Sequence, residues 1–367
     1  MKSKLGIAVL LFVTGVLILS RRPEPQLPSP EPAPVPQLPA AQPKRSASLR
    51  LPTPKLSEHK DAKAAAETKA RQLLTWLEKG NTNQLSTEVL SQYLAMNQRS
   101  AESLLAAFRT TGDKDLLKEA LEKYPDDPRV NFTALFNSDT PEERQQRLEA
   151  LKKADPDNAM ANFLAAQEAF KAGNTDLAVQ ELMAASGKTG WQDYSREFTQ
   201  SAEEAYRAAG YSEAEAKAMA ATGLVLPQLQ ELRDLGRKVN DLAGLYQQAG
   251  DYDSALAARQ IGLSLGERFT EPTADNSLLK QLVGIAIQNQ ILASMNPASP
   301  YDNTGRTVQQ ELEALKQQRD AIRELVQQSG SIFSTLNEQE IASYFDRQKT
   351  FGELATIQWL ISRQKKP

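Results

Sequence analysis

The sequence predicts an all-α protein: an α-solenoid of helix pairs with a C-terminal helical cap, carried on one transmembrane helix and a proline-rich stalk. Three observations lead there. From Ser57 onward apolar residues recur with the 3.6-residue period of helices, and alternating strand-like runs are scarce. Two segments, EKYPDDPRVNF at 122–132 and KADPDNAMANF at 153–163, repeat one punctuation, with Pro125 and Pro156 31 residues apart. An apolar run at 5–20 precedes a stretch, 23–56, that holds eleven of the twenty prolines.

The apolar run comes first in the chain. Lys2 and Lys4 give it a basic flank. A spanning helix needs about 20 residues and a signal core about 7–15, so the cleavage site decides between them. Ser20 is small, but Ile18 stands where a second small residue is required. Residues 1–22 are therefore expected to remain as a signal-anchor, with the bulk of the chain extracytoplasmic, in a periplasm-like compartment of a bacterial-type envelope. Arg21 and Arg22 reduce the charge difference across the run, so this direction rests on the amino-terminal position and the stalk. No cysteine follows, which excludes a lipoprotein acyl anchor. In 23–56 the prolines fix φ and remove N–H donors. A polyproline II spacer of that length reaches roughly 100 Å.

The body divides into 57–270 and 271–367. Ser57 caps a helix expected over 57–79, with Trp76 and Leu77 on its apolar side. Thr140-Pro141-Glu142-Glu143 is a second start, a capping hydroxyl followed by proline and acids at the positive dipole end. After the Pro156 turn come Ala165-Ala166, Gly173, Ala178, Leu182 and Ala185. Residues 239–263 repeat the pattern with Leu242-Ala243, Tyr246, Gly250-Asp251-Tyr252, Ala255 and Gly262. Small residues at these places let paired helices approach, so Ala178 and Ala255 are expected at helix contacts. Beyond them, 277–295 reads as a central helix, Val308 to Val326 as the stripe of the next, and Ile341 to Ile361 as that of the last.

On these residues the chain resembles the tetratricopeptide-repeat (TPR) superfamily over roughly 100–266. The consensus opening tryptophan is Asn162 in one copy and Val239 in another, and the closing proline is missing after both. The resemblance implies that the first helix of each pair lines a peptide groove. Matched to the pattern, the groove-facing candidates are Met160, Phe163, Gln167, Phe170 and Lys171 in one copy. In the other they are Arg237, Asn240, Gln247 and Gln248.

Composition narrows the chemistry. There is no cysteine, and the only histidine, His59, lies by the stalk. Thiolate chemistry, Cys-type metal sites and His-centred dyads are therefore not expected. Of 43 Lys+Arg and 46 Asp+Glu, eight cations and two acids lie at or before Lys55, leaving 35 against 44 in the body. An acidic body argues against nucleic acid. No phosphate loop or dinucleotide fingerprint is present, and no cofactor is expected. Glu102-Ser103 resembles the Glu-Ser pair of lytic transglycosylases over two residues, but Ser100 reads as a helix cap with Glu102 in the first turn. Tyr344-Phe345-Asp346-Arg347 is the most chemically mixed run. The expected function is a membrane-anchored protein-protein interaction scaffold or adaptor binding a protein or peptide. The alternative is a carboxylate-dependent enzyme acting on cell-wall glycan or another envelope polymer.

Overall fold

The computed structural model describes residues 85–271, 277–301 and 305–364. The anchor, the stalk, His59 and the helix expected at 57–79 lie outside the described residues. Among these the protein is all-α, with two isolated bridges and no strand. None of the described helices is long and apolar enough to cross a membrane.

The helices are α1 (Thr87–Met96), α2 (Ala101–Thr111), α3 (Lys114–Lys123), α4 (Pro128–Leu135), α5 (Pro141–Ala154), α6 (Ala159–Lys171), α7 (Thr175–Ser186) and α8 (Ser195–Ala208). They continue as α9 (Glu213–Thr222), α10 (Pro227–Gln248), α11 (Tyr252–Thr270), α12 (Leu278–Leu292), α13 (Val308–Phe333), α14 (Glu338–Phe351) and α15 (Glu353–Gln364). Their starts are written in the sequence. Ser100, Asp113, Asp127, Thr140, Asn158, Asn174 and Asp251 each accept a backbone N–H from the first turn of α2 to α7 and α11. Gly173 and Gly250 end α6 and α10 at positive φ, a conformation that only glycine adopts without strain.

Consecutive helices pack as hairpins: α2 with α3, α4 with α5, α6 with α7, α8 with α9, and α10 with α11. Ala178 and Ala255 are buried in the second helices of two of them. The α8–α9 hairpin leaves the line of the others. α10 packs on α6, α11 touches α7, and α8 turns back onto α2 and α1.

The C-terminal part packs on the end of this series. α12 lies against both α10 and α11, and α13 follows on α12. The last apolar stripe is broken at Gly352, at φ 81° and ψ 167°, so it forms α14 and α15 rather than one helix. α14 packs on α9, and α15 on α13. Two apolar cores result, and α12 contributes to each: Val283 and Ile287 to the first, Leu282 and Ile291 to the second.

Candidate functional site

The surface on which the candidate groove would lie is occupied by the chain itself. α2, α4 and α6 bury nearly continuous runs of residues, Ser103 to Phe108, Val130 to Leu135 and Ala159 to Gln167. A helix with one free face buries only a stripe, so these three are covered on both sides. Residues 190–206 supply the cover, running from α6 back to α1. Trp191 meets Phe163 edge-on, with ring centres 6.1 Å apart, and Phe269 of α11 at 5.1 Å. Tyr194 and Phe198 lie against Phe132 of α4. The Arg109 guanidinium of α2 sits 3.6 Å from the centre of the Phe198 ring, and the Tyr93 hydroxyl of α1 donates to the Ser201 carbonyl.

The entry to α8 is fastened by polar contacts. Asn158, the cap of α6, donates to the Gln192 carbonyl and accepts the Gln192 N–H, while Ala159 donates to the Gly190 carbonyl. Tyr194 adopts φ 57° with its hydroxyl donating to Asp155 at 2.6 Å. Next to it is a buried cluster. Asp193 accepts from Lys280 at 2.9 Å, from Gln228 at 3.0 Å and from the Ser195 N–H, and Lys280 also donates to Ser195 Oγ at 2.8 Å. Burial alone would raise the Asp193 carboxyl, but Lys280 and Ser195 outweigh it and hold the group below its usual range. Burial pushes the Arg109 guanidinium down to about 10, against the raising effect of the Asp193 charge. The cluster joins α8, α10 and α12 at one point, with Gln228 donating to Asp193 while its own Oε1 is buried without a partner. The Asp193 and Lys280 charges are buried against each other, with Ser195 hydrogen-bonded to both. The sequence signal for it was a lysine inside the apolar run LLKQLVGIAI.

The candidate residues therefore separate. Phe163 and Gln167, at 1% and 4% exposure, are buried together with Met160, and Phe163 packs against Trp191. Phe170 is half-buried against the core. Lys171 is drawn into a charged network, 2.7 Å from Glu168 and 3.4 Å from Glu231, with Arg144 bridging both acids. Burial opposes ionisation of Glu168, but Arg144 and Lys171 hold it below the usual carboxylate range. This network fastens α5 and α6 to α10. On α10 itself Arg237 is exposed and pairs with Asp234, Asn240 accepts from Ser294 Oγ, and Gln247 and Gln248 are exposed.

Asn240 and Gln247 belong to an open feature, a trough between α10 and α11. Gly236, Asn240, Gly244 and Gln247 follow one another along α10 at helical spacing, as do Leu263, Arg259, Leu256 and Tyr252 along α11. α12 fills the first half of the trough. A Cβ on Gly236 would lie 3.0 Å from Ile287, and one on Gly262 2.8 Å from Ile291; Ser294 reaches Asn240. There α12 ends. α10 runs on from Asn240 to Gln248, about 12 Å at 1.5 Å per residue. In this second half a Cβ on Gly244 would meet nothing, and Leu256 and Tyr252 stand 49% and 69% exposed. Arg259 reaches across to Gln247 at 2.5 Å. No carboxylate among the described residues lies within ion-pair distance of Arg259.

No family model, no curated protein and no solved structure matches this chain.

Proposed function

We propose that this protein is a membrane-anchored, extracytoplasmic interaction scaffold, built on a degenerate TPR-like array, whose partner-binding surface is the open half of the α10–α11 trough. The observation that carries the reading is the uncovered apolar stripe. Tyr252 and Leu256 continue the line of Leu263, which is buried under the second core. Two large side chains left in water on a stripe that is otherwise closed mark an interaction surface more than an accident of packing. The hairpins and their glycine turns support the array. The apolar segment at 5–20 and the stalk after it support the anchor and the location. The excess of carboxylates over cations in the body supports a protein partner rather than nucleic acid.

The test is photo-crosslinking in intact cells, with a benzophenone amino acid placed at Leu256 and, as a control, at Arg196, which is exposed on α8. The expected result is one or a few discrete protein adducts from position 256 and none from position 196. Equal labelling from the two positions, or none from 256 with the protein at its normal abundance, would overturn this placement of the surface.

A further inference from the structure

We propose that the occupant of the open trough is an amphipathic α-helix that carries a carboxylate for Arg259; this rests on the scaffold reading and names its partner class. α12 shows the shape that the trough accepts. The same pair of helices that receives α12 continues beyond Leu292, held together by Ala243, Ala255 and Ala258, which are buried. The two helices thus stay packed on each other past the end of α12. What fits the first half is a helix, with its backbone close to α11 where Gly266 and Gly284 meet: a Cβ on Gly284 would lie 2.5 Å from the Gly266 carbonyl. The second half has its own glycine, Gly244, with free space above it.

Arg259 supplies the charge. It is the first side chain of the stripe beyond the end of α12, its Nε is buried without a partner, and a neutral amide, Gln247, is its hydrogen-bond acceptor. A guanidinium beside apolar side chains, with no carboxylate of its own, complements an acidic group brought by the partner, and more strongly where water is displaced. Moving away from α12, Arg259 is followed three residues on by Leu256 and seven residues on by Tyr252. A helix lying along them presents its acid first, then apolar residues three or four and seven positions further along.

The experiment is a selection from displayed peptides, 16 residues long on a helical framework and randomised along one face, against the immobilised full-length protein. The expected enrichment is Asp or Glu followed at those spacings by Leu, Ile, Phe or Met. A selection against Arg259→Glu should reverse the preference at the first position to Lys or Arg. Peptides selected on the natural protein should lose at least about tenfold in affinity for Arg259→Glu, the loss expected of one charged contact at a binding hot spot. Binders that need Leu256 and Tyr252 but show no acidic preference, or enrichment without helical spacing, would overturn this inference and leave the scaffold surface standing. Helical binders whose affinity ignores Leu256→Asp, or failure to enrich any peptide, would overturn both.

Discussion

Glu353 is the residue whose titration should be visible in the stability of the whole protein. Its carboxyl is buried, accepts the Leu278 N–H at 2.8 Å through one oxygen, and leaves the other without a partner. Burial raises it to about 7, with the Leu278 N–H working the other way. The folded state therefore holds this proton at pH values where the unfolded chain, near 4.5, has released it. Stability should fall as pH rises from about 4.5 to about 7. The carboxyls held low, Glu119 and Asp193 among them, lose their contribution only below that window. The measurement is Tm against pH for the natural protein and for Glu353→Gln. The first should rise as pH is lowered across the window, and the second should be flat. Glycines give a second test at this scale. Gly284→Ala should cost about 1–3 kcal/mol through overpacking against Gly266. Gly244→Ala meets nothing and should gain about 0.5–1 kcal/mol from helix propensity. Chemical denaturation of both variants checks the pair of signs. The sequence marks these positions only as glycines. Which one touches a neighbour depends on where α12 ends relative to α10, and no local pattern encodes that.

At the scale of elements, boundaries were the legible part. Thr140 with Pro141, Ser277, and the glycines at 173 and 250 stand where the caps and turns form, because each acts on its own backbone within a few residues. The groove was not legible. Phe163 and Gln167 satisfy a groove pattern on α6, yet both are buried, Phe163 against Trp191, by contacts that join residues far apart in sequence. The α8–α9 hairpin falls within the stretch that resembles TPR repeats, roughly 100–266, and that resemblance would stack it in line. It turns aside because its entry is tied to α6 through Asn158 and to α12 through Asp193 and Lys280, which lies 87 residues from Asp193. The last stripe shows the reverse lesson. Its apolar period runs through Gly352 without a break, and a backbone conformation that period does not record divides it into two helices.

At the scale of the molecule, one arrangement follows from these contacts. Residues 190–206 and α8 cover α2, α4 and α6, while Tyr252 and Leu256 stand exposed on the α10–α11 hairpin beyond the last residue of α12. Hydrogen exchange of the full-length protein tests this most directly. The amides of 198–206 should exchange with the slowest set, at the rates of α2, α4 and α6, and those near the 248–252 turn should exchange faster. Rapid exchange across α8 while α2, α4 and α6 remain protected would contradict this arrangement, because α8 would then not be held on those helices as a fixed cover.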